Sequence, residues 1–418
     1  MTAQTSWDWE PGKRRIVEVA YCSQDYEWRE EPYASPDGEK LAAVIKLEDA
    51  VFGLAVNGEP WEQTFDKIWR PRFSPDGRLT ALVNSDGLWT LAVDGVPWEE
   101  QFSFAWETQF SRNGQVIATA VQQDMSYGLA VDGVLWENLF SNGTDFILSP
   151  TGVSGAGVVQ TRSFDQADVD KFQSGCYSVA VDGVAWPGNF VNAWTPSFDE
   201  TGRRVAAQVR TSLYDYSIAV DGELWPGSFS GVWEPRFNPV TGAVAAPVRI
   251  GGKWTMAIDG KVAWDLKAAQ CWQHVWSPDG KKLAAIVALK LGCFTAAIDG
   301  RPWDATFPVM HDLVQGPDGQ RAAALAMEGG QYLVVVDGKP WPGRYDMAWP
   351  PVFGPDGKRV AAKVEQNGRF FIIIDGQPYK EDFEAVWDPA FGPGGDKLLI
   401  RGVQDGIFYR IVAPVGEI

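Results

Sequence analysis

The sequence predicts an all-β protein, a β-propeller of about ten four-stranded blades, and three observations lead there. One unit recurs about every 38 residues, a period that belongs to repeat architectures. Each complete unit carries an Asp-Gly or Asn-Gly pair with an aromatic three residues after the glycine, or four after Gly260. Each unit also carries a second turn of the Ser-Pro-Asp-Gly type, and no segment shows sustained helical periodicity.

Residues 67–102 serve as the reference unit. Ile68-Trp69-Arg70-Pro71-Arg72-Phe73 reads as a short strand A. Ser74-Pro75-Asp76-Gly77 turns the chain, because proline presets φ, aspartate bonds its own backbone and glycine takes the positive-φ position. Leu79–Val83 reads as strand B, Asn84-Ser85-Asp86-Gly87 as a turn, and Leu88–Val93 as strand C. Asp94-Gly95 is a type I′ hairpin signal, and Pro97–Phe102 follows as strand D. Four short antiparallel strands at this period read as one propeller blade.

The A–B turn recurs ten times: at 35–38, 74–77, 277–280, 316–319 and 354–357, and in looser form from Ser111, Ser149, Asp199, Asn238 and Gly392. The C–D hairpin recurs nine times, at 57–58, 94–95, 132–133, 182–183, 221–222, 259–260, 299–300, 337–338 and 375–376. The last unit therefore lacks a strand D. Arg15–Ala20, an extended-looking stretch ahead of the first unit, is expected to supply it and close the ring, which hides sheet edges. Ten blades exceed the usual four to eight, so two smaller rings or an open arc are the alternatives. No linker rich in Pro, Gly or Ser splits the array, which favours one ring. The domain reading is an extension over 1–14, one propeller over 15–413 and a tail over 414–418. An exposed polar insertion at about 152–175, with Asp165, Asp168, Asp170 and Lys171, falls between strands B and C.

Three aromatic rows run through the repeat. The first, on strand D, is Trp61, Trp98, Trp136, Trp186, Trp225, Trp264, Trp303, Trp341 and Tyr379. The second, on strand C, is Phe52, Trp89, Tyr127, Tyr177, Tyr216, Trp254, Phe294, Tyr332, Phe370 and Phe408. Its partner row lies eight residues past each hairpin Asp or Asn: Phe65, Phe102, Phe140, Phe190, Phe229, Phe307, Tyr345 and Phe383, with Lys267 as the exception. Recurrence in every unit is what packing between blades requires, so these rows read as core. The third row opens strand A: Trp69, Trp106, Trp194, Trp233, Trp272, Trp349 and Trp387, broken by Glu30, Thr144 and His311. Strict alternation would put Trp69, Pro71 and Phe73 on one face and Arg70 and Arg72 on the other. Two readings of this row compete, packing between blades and a partner-facing ring at one mouth of the axis. Trp69, Trp106, Trp194, Trp233, Trp272, His311, Trp349 and Trp387 are the candidate partner-binding set.

The bulk properties bound the function. A net charge of −18 disfavours nucleic acid and anionic membrane surfaces and suits a basic protein partner. The N-terminus shows no apolar leader, no run of 18 apolar residues occurs, and Cys22, Cys176, Cys271 and Cys293 lack paired spacing; a reduced cytoplasmic setting is expected. Two histidines, His274 and His311, leave few routes to general-base catalysis, and no nucleotide-loop, zincin or serine-elbow motif is present. Cys271, His274 and Cys293 share one unit, but zinc needs four ligands or three plus water. The recurring turn aspartates are explained by the turns themselves rather than by calcium. Glu62, Glu99, Glu100 and Glu137 on strand D read as solvated outer faces. No catalytic residue, cofactor or metal is expected.

The Trp-x-Pro-x-Phe-Ser-Pro-Asp-Gly-type segments, best seen at 69–77 and 349–357, resemble the PD40/TolB-like branch of WD40-type propellers, which implies a fold and no function. The repeated Val-Asp-Gly-x-x-Trp units and 21 tryptophans also resemble the tryptophan-rich cytoplasmic subunit family of the Tmc transmembrane redox complexes of sulfate-reducing bacteria. That resemblance implies a non-catalytic docking subunit, peripheral on the inner face of the cytoplasmic membrane. Its implied partners are an iron–sulfur subunit, a membrane cytochrome b and a multihaem cytochrome c, in a complex passing electrons from the periplasm to cytoplasmic sulfate reduction. An enzyme or small-ligand binder using the axial channel, and a generic adaptor, are the alternatives.

Overall fold

The computed structural model describes residues 7–19, 28–163 and 169–417. Ten antiparallel sheets follow one another along the chain, each with strands in the order A-B-C-D. Blade 2 is typical: strand A is Lys67–Phe73, B is Leu79–Ser85, C is Leu88–Val93 and D is Val96–Pro97. One short α-helix, Val169–Gln173, lies among the described residues. It belongs to the blade 4 insertion, which is narrower than expected, because strand B there spans Gly155–Gln160 and strand C starts at Tyr177. Asp165 and Asp168 lie outside the described residues.

The closing strand forms as expected, with a shifted start. Gly12–Glu18 pairs antiparallel with the last strand, Ile407–Pro414, and becomes strand D of blade 10. A bulge between Arg15 and Val17 accommodates Ile16, and Val19 N–H donates to Gly406 O at 2.6 Å. Ala20 lies outside the described residues. Ile16, Val17 and Val19 pack with Val403 and Phe408 of blade 10 and Leu41 of blade 1, so the first and last blades meet and the ring is closed.

The hairpin glycines and the strand-D tryptophans form one device. Asp94 and Gly95 both have positive φ, 48° and 87°, the type I′ geometry. A Cβ on Gly95 would sit 3.2 Å from the Trp61 ring of the preceding blade. The turn thus presents a bare glycine to the indole of the blade before it, and Trp98 on Gly133, Trp186 on Gly222 and Trp303 on Gly338 repeat the contact. Asp94 Oδ1 accepts from Leu79 N–H at 2.9 Å, which ties the hairpin to the start of strand B. The same bond recurs from Asn57 to Asp375, so the turn carboxylates have a structural task.

The second aromatic row pairs across the hairpin as expected, from Phe52 with Phe65 to Phe370 with Phe383. In blade 6, Trp254 pairs with Ala268 rather than with Lys267. Both Ala263 and Trp264 N–H there point at Met256 O, and this extra residue shifts strand D by one. Leucine, valine and alanine on strands B and C fill the space between blades; Leu82, Leu91, Ile117 and Val121 are fully buried between blades 2 and 3. Each such residue contributes about 1.5–3 kcal/mol when fully buried if large, and less for alanine.

Candidate functional site

Strand A lines the ring axis, and its course departs from simple alternation. In blades 2, 3, 4, 5, 7 and 8, the residue after the third-row position has positive φ: Arg70 49°, Glu107 56°, Asp145 50°, Thr195 45°, Gln273 47° and Asp312 55°. The strand register slips at this point, for example between Trp69 and Arg72. Such a bulge inserts an unpaired residue and re-aims its neighbours. The expected grouping of Trp69, Pro71 and Phe73 on one face is therefore wrong. Trp272 packs in the joint with the following blade, whereas Trp276, on the same strand, packs in the joint with the preceding one. Trp106 and Phe110 divide in the same way.

The structure places all eight candidate residues against the strand-C aromatic of their own blade. Ring centroids are 4.3 Å apart for Trp69 and Trp89, 5.5 Å for Trp233 and Trp254, 5.1 Å for Trp272 and Phe294, and 5.4 Å for Trp387 and Phe408. Trp106 meets Tyr127, Trp194 meets Tyr216, His311 meets Tyr332 edge-on and Trp349 meets Phe370. Most are half-buried, while Trp69 and Trp233 are each 43% exposed. Where Thr144 interrupts the row, Phe146 fills the gap; its ring lies where a Cβ on Gly157 would stand, 2.4 Å away. Phe146 also meets Trp106 and Trp136 edge-on.

The bulge residues and those two positions on form the channel wall. Arg70, Arg72, Glu107, Asp145, Phe146 and Pro196 are among the residues lining a cavity of about 670 Å³. A second, of about 710 Å³, runs past Glu234, Arg236, Gln273, His274 and Asp312. Bonds between neighbouring blades fix parts of the wall: Arg72 Nη1 donates to Thr108 O at 2.5 Å and Thr195 N–H donates to Asp145 Oδ2 at 3.0 Å. Sequence reasoning missed this wall. Its only signal was a polar residue after most third-row positions, at Arg70, Glu107, Asp145, Thr195, Glu234, Gln273, Asp312 and Asp388, with Pro350 after Trp349 as an exception.

The groups with chemical potential are held in structural roles. His274 is 3% exposed, and its Nε2 sits 3.1 Å from Ala245 O. A carbonyl only accepts, so Nε2 carries a hydrogen. Burial pushes this imidazole down to about 3. Burial likewise pushes the Cys271 thiol up to about 12, which leaves it protonated. His311 Nδ1 lies 2.9 Å from Asp312 Oδ2. No group of three metal-ligating side chains comes together among the described residues. No helix among them is long and apolar enough to cross a membrane.

These features define the protein class: a closed ten-bladed β-propeller with a polar axial channel and an aromatic row at the start of its inner strands. No protein-family model matches the chain, and no curated protein matches it. Among solved structures, one titled as the crystal structure of the eukaryotic initiation factor is similar at 14% identity with a TM-score of 0.49, covering 78% of this chain and 90% of that one. A likeness at that level says nothing of function.

Proposed function

We propose that the protein is a non-catalytic docking ring in a membrane-bound electron-transfer complex. In this reading it sits in the cytoplasm and is held at the inner face of the membrane by partner subunits. Those partners are an iron–sulfur subunit, a membrane cytochrome b and a multihaem cytochrome c in the same assembly, and the complex serves sulfate respiration. The observation that carries the docking role is the partly exposed tryptophan row, since large aromatics at a rigid rim are what binding hot spots use. The redox setting rests on the sequence resemblance alone. The test is purification of the tagged full chain from native membranes. Co-migration of haem- and iron-bearing subunits at fixed stoichiometry is expected; a chain that migrates alone overturns the reading.

A second reading is favoured by one observation. The 670 Å³ cavity has the size of a small-ligand site and carries charged side chains of both signs. Elemental assay of the purified protein with a thermal-shift screen of small metabolites tests it. A saturable rise in melting temperature supports a ligand-binding propeller, and a flat screen removes it.

A further inference from the structure

The order of the strands gives the ring two unlike faces. A–B turns and C–D hairpins share one face; the starts of strands A and C share the other. On the turn face the hairpin aspartates are engaged by the fold. Each accepts a backbone N–H, and several also pair with a cation, as Asp221 with Arg204, Asp299 with Lys282 and Asp337 with Arg321. On the opposite face the inner rim carries exposed apolar side chains, interrupted by Lys67, Asn192 and Gln270. Phe104, Val309 and Met347 open their A strands there at 38%, 41% and 41% exposure, beside Trp69 and Trp233 at 43% each.

Just inside that rim the channel wall is acidic. In the register of the bulge stand Glu31, Glu107, Asp145, Glu234, Asp312 and Asp388, and Arg70 is the one cation. The carboxylates of Glu31, Glu107 and Glu234 have no hydrogen bond or ion pair among the described residues. Left-handed backbone at a residue other than glycine costs roughly 1–2 kcal/mol, less for aspartate, yet Glu107 holds it at 56°. Two residues deeper, Arg72 and Arg236 reverse the sign, so the zone that favours a cation is shallow and open to the face where strand A begins. Low-dielectric walls concentrate the field of such a ring.

We propose that this rim is the docking site of a protein element that carries lysine or arginine at its tip and apolar side chains on its flanks, inserted into the channel from the face where strand A begins. The inference rests on the docking-ring reading and supplies its face and the chemistry of the partner. Apolar flanks bury the rim aromatics, and the cationic tip neutralises the carboxylates of Glu31, Glu107 and Glu234, which are unpaired among the described residues.

The probe is a fluorescent, end-capped peptide of alternating lysine and leucine, titrated against the full-length protein by anisotropy. A glutamate–leucine peptide is the counterpart. One variant carries Glu31→Gln, Glu107→Gln and Glu234→Gln. A control removes the same charge from the exposed outer strands through Glu62→Gln, Glu99→Gln and Glu137→Gln. Melting curves establish that both are folded. The rim variant is expected to bind the basic peptide at least about tenfold more weakly, and the control less than about twofold. Equal loss in both variants, no binding by the unaltered protein, or equal affinity for the acidic peptide overturns the proposal. The two readings fail separately. If native subunits do not co-purify with the unaltered chain, the docking role falls; if they co-purify equally well with the rim variant, only the assignment of the rim falls.

Discussion

The joint between blades 10 and 1 is made of different material from the joint between blades 2 and 3. In the latter, Leu82 on strand B and Leu91 on strand C face blade 3 and are fully buried. The equivalent positions of blade 10 are Arg401 and Arg410, which pair with each other in register as Leu82 pairs with Leu91. Both arginines reach the A–B turn of blade 1. Arg401 Nη1 donates to Ser35 O at 2.9 Å, Arg410 Nε donates to Asp37 O at 2.8 Å, and Arg410 lies 3.0 Å from Glu39. Arg410 also binds Asp8 O, which fastens the segment leading into the closing strand. An apolar joint can form as the chain folds outward from neighbours in sequence. The last joint must instead bring together segments about 370 residues apart, as Arg401 and Ser35 are. Directional bonds then select the register that non-directional apolar contact leaves open.

Removing residues 1–19 is the most severe way to break this comparison. The edge of Ile407–Pro414 loses its partner strand, and Phe408 and Val403 lose the cover of Ile16, Val17 and Val19. The expected loss is on the order of 5 kcal/mol or more, with aggregation through the open edge. Calorimetry and size-exclusion chromatography read it; an unchanged melting temperature would show that the ring closes without the strand.

Arg410→Ala comes next. It leaves the carbonyls of Asp37 and Asp8 without their donor and Glu39 with Arg14 as its remaining partner, at a cost of about 3 kcal/mol. Arg410→Leu, which imitates Leu91, should recover part of that loss by restoring apolar contact. If the leucine variant is the worse of the two in chemical denaturation, apolar contact does not substitute for the guanidinium and the seam requires the hydrogen bonds themselves.

How much of this was legible follows from how local each feature is. The hairpin with its aromatic was legible because Asp94, Gly95 and Trp98 lie within one short segment, and the period repeated them in every complete unit. The closing strand was legible from counting, since ten A–B turns and nine C–D hairpins leave one strand D to be supplied. The bulge in strand A was not, because Arg70 and Glu107 adopt left-handed backbone without a glycine or a turn motif to announce it. The misplacement of Phe73 relative to Trp69 followed from that. The partner of Trp254 was missed although the extra residue of strand D shows in the sequence, where Trp264 stands four residues after Gly260 while Trp98 stands three after Gly95. The arginine seam was visible as two residues but meaningless without the register that sets Arg401 opposite Arg410.

His274 sharpens the comparison, because it is a polar residue tolerated in an otherwise apolar joint through neutrality rather than pairing. Its folded value of about 3 lies below the ordinary 6.5. The unfolded chain takes up a proton below pH 6.5 that the folded ring refuses until about pH 3. Its contribution is therefore fully present above pH 6.5 and is lost as pH falls toward 3. Between pH 7 and pH 5 the loss is about 2 kcal/mol. His274→Gln keeps a donor for Ala245 O without titrating there and should flatten this part of the profile. A variant whose urea midpoint falls with acid as steeply as the parent's would assign the sensitivity elsewhere.

Lys363 carries the smallest expected effect and the most direct contrast with Arg401. It occupies the position of Leu82 in blade 9, faces blade 10 and is half-buried. Its ammonium lies 4.1 Å from the centroid of Trp349 and 5.3 Å from that of Phe370. Unlike the arginines of the seam, it makes no hydrogen bond to the next blade's turn among the described residues. Burial pushes its pKa down, a sign that desolvation works against the charge here. Lys363→Met keeps the length and apolar stem and removes the charge together with about 0.5–2 kcal/mol of cation–π attraction. It also removes the desolvation that opposes that attraction, so the net change should stay within about 1 kcal/mol in either direction. A destabilisation well beyond that in guanidinium denaturation would mean that this ammonium holds blades 9 and 10 together much as Arg410 holds blades 10 and 1, and the polar seam would then extend over two joints instead of one.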